Sequence, residues 1–79
     1  LISHNELKTL RGCPKMVEGI FDGCHNDLRS LDYAPSKVGS DTWFSYNKLS
    51  FTEIEKYREL RGANTYLGPK NMYFSHQFL

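Results

Sequence analysis

This sequence has no long apolar run, almost no surplus charge and few of the residues that mark specialised scaffolds. No stretch of its 79 residues approaches the roughly 20 apolar residues a transmembrane helix needs, so no membrane span is expected. Nothing at the start resembles a secretory signal, and residue 1 is Leu1 where a nascent chain carries Met; the expectation is a chain processed, or cut from something longer. Ten Lys and Arg against nine Asp and Glu leave a net charge of +1, which removes the simplest argument for a nucleic-acid partner. The six glycines assemble no phosphate-binding or dinucleotide-binding fingerprint, and there is no Gly-x-Ser-x-Gly elbow. What is left, 39% hydrophobic and 24% charged, is too balanced for a disordered tail or a collagen-like chain. At this length the chain is one domain at most, near the lower limit for a core that stands alone.

What is present is an internal repeat. Residues 5–25 and 26–46 align without a gap and share Asn5/Asn26, Leu7/Leu28, Leu10/Leu31, Pro14/Pro35 and Val17/Val38. Glu6/Asp27, Lys8/Arg29, Thr9/Ser30 and Cys13/Ala34 are near-equivalents, and a third unit opens in register with Asn47, Lys48 and Leu49. A period of 21 residues containing Asn-x-Leu-x-x-Leu is the spacing of a leucine-rich coil. Leu7, Leu28 and Leu49 would then stack in one interior column, Leu10 and Leu31 in a second, and Val17 and Val38 in a third. Asn5, Asn26 and Asn47 would form a ladder whose amides satisfy backbone groups that lack a strand partner. Pro14 and Pro35 would fix the same turn in successive units.

The string Gly12-Cys13-Pro14-Lys15-x-Val17-x-Gly19-x-Phe21, followed by Asn26-x-Leu28-x-Ser30-Leu31-x-x-Ala34-Pro35, resembles the degenerate leucine-rich-like repeats of tailed-bacteriophage and some bacterial proteins. The resemblance covers about residues 1–50. It departs at Gly23, where the repeats carry an apolar residue or Cys, and at Thr42, which stands where Phe21 stands one unit earlier. It implies a small mainly β leucine-rich-like solenoid of about three to four coils and a phage or prophage origin, with no activity attached.

After Leu49 the period fails. Residues 50–61 predict a short helix, at about 51–61, inserted in the last crossover; Ser50 with Glu53, or Thr52 with Glu55, offers a capping box, and Gly62 a C-terminal stop. Its buried side is expected to hold Ile54, Tyr57 and Leu60. Asn64 to Lys70 reads as loop around Gly68-Pro69. The pattern then returns, since Tyr73-Phe74-Ser75-His76-Gln77-Phe78-Leu79 parallels Trp43-Phe44-Ser45-Tyr46-Asn47-Lys48-Leu49, and also Leu1-Ile2-Ser3-His4-Asn5-Glu6-Leu7. The reading is one repeat domain over residues 1–79, with units at about 5–25, 26–46 and 47–79 and four successive strands. Ile2, Phe44 and Phe74 point inward, and Phe21 fills the gap left by Gly23.

Candidate chemistry is weighed by slot. His4, His25 and His76 share one slot, completed by Tyr46, and residues that recur by slot serve the repeat more often than they converge on a catalytic point. Such a column could still form a weak metal or pH-sensitive site. Cys13 and Cys24 lack the close paired spacing of structural zinc and occupy positions for small residues, so reduced, partly buried thiols are expected ahead of a disulfide or a metal site. The acidic and basic residues of the helix read as solvated pairs. Lys8 and Arg29 are offset by Glu6 and Asp27, which cancels a basic stripe.

The most suggestive surface is the strand face opposite the core, where alternation places Leu1, Asp22, Trp43 and Tyr73. Trp and Tyr are enriched at binding hot spots, although these two could also cover the core beneath the helix. The function expected is a non-catalytic protein-binding module, a phage or prophage accessory or host-takeover protein. It would occlude a bacterial protein through Trp43, Tyr73, Tyr46, Asp22 and His25. Its place would be the bacterial cytoplasm or the virion, with no cofactor and no metal. Self-association through exposed solenoid ends is a further possibility for partners. The alternatives are a virion structural or capping segment of a longer repeat protein, and a metal-dependent enzyme using Cys24, His25 and Asp22.

Overall fold

Each of the first two units contains a turn whose chemistry is local. Leu10 C=O accepts from Cys13 N–H at 3.0 Å, and one unit later Leu31 C=O accepts from Ala34 N–H at 3.1 Å. The hydroxyl just before each turn braces it: Thr9 Oγ1 accepts from Arg11 N–H, and Ser30 Oγ from Asp32 N–H. The third turn residue is left-handed in both, Gly12 at φ 95° and Tyr33 at φ 72°.

The computed structural model describes residues 2–64 and 71–77, with backbone alone for 62–64. Beyond the turns lie the strands β1 (Met16–Val17), β2 (Phe21–Asp22), β3 (Lys37–Val38), β4 (Thr42–Trp43) and β5 (Met72–Tyr73), with the helix α1 (Phe51–Asn64) between β4 and β5. All pairing is parallel. β1 meets β3 with Met16 opposite Lys37, β2 meets β4 with Phe21 opposite Thr42, and β4 meets β5 with Thr42 opposite Met72. The first two registers shift the chain by 21 residues; the third shifts it by 30, because α1 lies within that connection.

The mainly β solenoid of three to four coils does not hold. Five strands of two residues each form two separate small parallel sheets, β1–β3 and β2–β4–β5, and the 14-residue helix is longer than all the strands together. The ladders are short for a physical reason. His25 and Tyr46 are left-handed three residues past the ends of β2 and β4, which bends the chain out of extended conformation. Beyond that bend side-chain amides share the bonding with the backbone pairs Asp27–Leu7 and Lys48–Leu28. Residues 2–4 hydrogen-bond to Asp22 and Cys24 carbonyls without forming a strand.

Those amides are well placed. Asn26 Oδ1 accepts from the N–H groups of Asn5 and Leu7, and its Nδ2 donates to the carbonyls of Ile2, Gly23 and Cys24. Asn47 Oδ1 accepts from Leu28 N–H while Nδ2 donates to Gly23, Phe44 and Ser45. One unit on, Gln77 takes the same role, accepting from Leu49 N–H and donating to Phe44 and Ser75 carbonyls. The side-chain amide of Asn5, by contrast, donates only to the nearby Ile2 and Ser3 carbonyls, and the residue is exposed.

The core sits between the two sheets and α1. Leu10, Leu28, Leu31, Val38, Phe44 and Leu49 are buried, while Leu7 and Val17 are half-buried at its edge. Pro35 is buried and Pro14 exposed. A Cβ on Gly23 would lie 2.9 Å from the Phe44 ring and 3.5 Å from that of Phe21, so Phe44 is the ring nearest the gap left by Gly23, with Phe21 tilted against it at 5.6 Å.

The helix starts on Ser50, whose Oγ accepts from Glu53 N–H. It runs through Gly62, which therefore does not stop it; an interior glycine costs only about 1 kcal/mol. Ile54 and Tyr57 are buried as expected, but Leu60 is exposed and Arg61 takes its place. Arg61 Nη1 donates to Thr42 Oγ1 and Nη2 to Val38 C=O, and Tyr57 OH donates to Pro35 C=O at 2.6 Å. The expected turn at Gly68-Pro69, and the positions of Leu1, Phe78 and Leu79, lie outside the described residues.

Candidate functional site

The strand face opposite the core is built by the parallel registers. Phe21 and Thr42 are buried, so alternation turns Asp22 and Trp43 outward, with Tyr73 opposite Trp43 across β4 and β5. Parallel strands lie about 4.8 Å apart, which is stacking distance for in-register rings. Trp43 and Tyr73 accordingly stack with centroids 3.9 Å apart and planes 13° from parallel. They do not cover the core beneath α1. The helix docks on the other side of β4, where Tyr57 meets the Phe44 ring edge-on and Arg61 meets Thr42.

Beside that pair runs a second column. His4, His25, Tyr46 and His76 stack in order, with centroids 4.2, 4.2 and 4.6 Å apart. All four are left-handed, at φ 62°, 57°, 61° and 53°. The conformation explains the stack: it throws each ring outward while sending the next residue, Asn26 or Asn47, inward to the amide ladder. Tyr46 and Tyr73 are exposed, as are the three histidines, and Trp43 is half-buried. The five residues assigned to a binding face thus fall on two adjacent columns, Asp22–Trp43–Tyr73 and His25–Tyr46.

Asp22 meets Cys24, but His25 does not join them. Asp22 Oδ1 accepts from Cys24 N–H at 3.0 Å, whereas the His25 ring lies between His4 and Tyr46. Burial, reinforced by the Asp22 carboxylate, pushes the Cys24 thiol up to about 11, which makes it a poor nucleophile at neutral pH. Burial also raises the Cys13 thiol, and both cysteines are free. Among the described residues no group of three or more His, Cys, Asp or Glu is disposed to hold a metal ion.

Two features escaped the sequence reading. The left-handed slot shared by the four stacked rings has no local signature beyond its recurrence. The groove between the second turn and α1, lined by Tyr33, depends on where the helix docks. On the charged side, Lys48 pairs with Asp27 at 3.3 Å, while Lys8 and Arg29 have no ion pair among the described residues. Compared with protein-family models, with curated proteins and with solved structures, the chain has no match in any of the three.

Proposed function

We propose that the chain is a non-catalytic protein-binding module whose contact surface is the aromatic strand face. The observation that carries this reading is the solvent-facing Trp43–Tyr73 stack beside the His25–Tyr46 column. A pre-stacked pair loses little rotamer freedom on contact, and Trp and Tyr dominate binding energy where they occur at interfaces. The mode of action is occlusion of the partner's surface. The resemblance of residues 12–35 to phage repeats supports a bacterial partner and a phage accessory or host-takeover role, in the host cytoplasm or virion. The His25 ring, held between His4 and Tyr46 and apart from the Asp22–Cys24 contact, argues against the rival metal-dependent use of Cys24, His25 and Asp22.

The test is affinity purification from bacterial lysate, identification of the captured protein, and titration of that protein against the wild type and Trp43→Ala/Tyr73→Ala. The double variant, folded by circular dichroism, is expected to lose about 2 kcal/mol or more, roughly 30-fold in affinity. Unchanged affinity removes the strand face from the interface and overturns the reading.

A further inference from the structure

A groove follows residues 31–36 in two lobes that share Tyr33, Ala34 and Leu60, the first against α1 and the second against residues 12–15. The first lobe, about 570 Å³, has carboxylates on both walls, Asp32 from the turn and Glu53 and Glu59 from the helix. Its ammonium, Lys56, is bound to Glu53 at 3.0 Å, while Asp32 and Glu59 have no ion pair among the described residues. The second lobe, about 500 Å³, has Lys15 as its charged lining residue. The groove is therefore ordered: acidic at one end, Tyr33, Ala34 and Leu60 in the middle, and basic at the other.

Its middle is held in a costly conformation. Tyr33 adopts φ 72° at the slot where the preceding unit uses Gly12 at φ 95°. Left-handed backbone is unfavourable for a bulky side chain, and at 56% exposure burial does not offset it. The guanidinium of Arg11 lies 5.4 Å from the ring centroid and donates from Nη2 to the phenol oxygen, which fixes the ring over the groove. A glycine would satisfy the turn better; the tyrosine is explained by what it presents.

We propose that this groove receives an extended peptide segment of a partner protein. Its side chains read cationic against Asp32 and Glu59, apolar against Tyr33 and Leu60, and acidic against Lys15. The inference goes beyond the strand-face reading and does not rest on it. The probe is a displayed library of random peptides selected in parallel on the wild type, on Tyr33→Gly and on Trp43→Ala/Tyr73→Ala. The wild type and the strand-face variant are expected to enrich the same cationic–apolar–acidic order. Tyr33→Gly, with its Tm raised by a few degrees, should bind those peptides at least tenfold more weakly. Glu59→Lys should abolish the preference for the cation. A lowered Tm for Tyr33→Gly would mean that the ring serves the fold. Equal enrichment on Tyr33→Gly, or none on the wild type, overturns the proposal. Self-association that Tyr33→Gly dissolves, seen by sedimentation, overturns it in favour of a second copy of the chain.

Discussion

Arg61 brings a guanidinium into the interior, where it meets a hydroxyl and a carbonyl but no carboxylate among the described residues. It is fully buried, Nη1 and Nη2 are bonded to Thr42 Oγ1 and Val38 C=O, and Nε has no partner. The reason lies in the repeat. Thr42 occupies the slot that Phe21 fills one unit earlier, and the missing aromatic volume is taken by the Arg61 side chain entering from α1. Burial raises the Tyr57 phenol, and the Arg61 guanidinium pulls the other way, so the three groups form one polar cluster. Arg61→Ala should cost about 3 kcal/mol, since it leaves Val38 C=O buried and unpaired, strips Thr42 Oγ1 of its charged donor and empties the space the side chain fills. Adding Thr42→Phe should recover more than about 1 kcal/mol of that loss by restoring the aromatic found at Phe21. Urea denaturation of the two single variants and the double variant measures the coupling. Strictly additive losses would show that the two side chains do not share one space.

The element on which this depends, α1, was legible in part. Its start follows from Ser50 and Glu53, and Ile54 and Tyr57 face the core. Hydrophobicity alone favours Leu60 over Arg61 for the buried side. At about 100° per residue, Arg61 falls between Ile54 and Tyr57 on the helix circumference, and Leu60 lies roughly 60° beyond Tyr57. Geometry selected the charged residue, and the Thr42 departure was the signal that a polar partner was wanted there. The Glu53 carboxylate, expected to close a capping box on Ser50, instead serves tertiary structure: Oε1 accepts from Leu31 N–H, and Oε2 pairs with Lys56. The Lys56 hydrogen bond is the chief reason the Glu53 carboxyl sits below the usual glutamate range; the Leu31 N–H acts in the same direction, and partial burial opposes both. A carboxyl lowered in the folded state stabilises it above the ordinary value of 4.5, and that contribution fades as pH falls through the lowered folded value. Glu53→Gln should therefore be less stable than wild type at neutral pH, by no more than about 1 kcal/mol, and the gap should close in acid. Urea midpoints across the acid range test this; a gap independent of pH would place the stabilising charge elsewhere.

For the molecule as a whole, the 21-residue spacing could be read because neighbouring units repeat their contacts residue for residue, Leu7 with Asp27 and Leu28 with Lys48, Phe21 beside Thr42, Val17 beside Val38. The two short sheets could not be read from that spacing, because the left-handed bends at His25 and Tyr46, which turn the chain away after β2 and β4, carry no glycine to announce them. The stacked rings were assigned to one slot, but which ring touches which follows only from the register. What holds the units at their separation is backbone proximity. Gly39 N–H donates to Val17 C=O at 2.8 Å, and a Cβ on Gly39 would come within 2.1 Å of the Glu18 carbonyl oxygen. A backbone atom cannot rotate away as a side chain does, so the two units would have to part. Gly19, on the opposing turn, has nothing within 4 Å of an added Cβ. Gly39→Ala should then cost more than about 3 kcal/mol, whereas Gly19→Ala should stay within about 0.5 kcal/mol. Thermal unfolding of the two variants separates them. Equal behaviour would mean that the β1–β3 contact is slack, and that the amide ladder of Asn26, Asn47 and Gln77 alone sets the spacing between units.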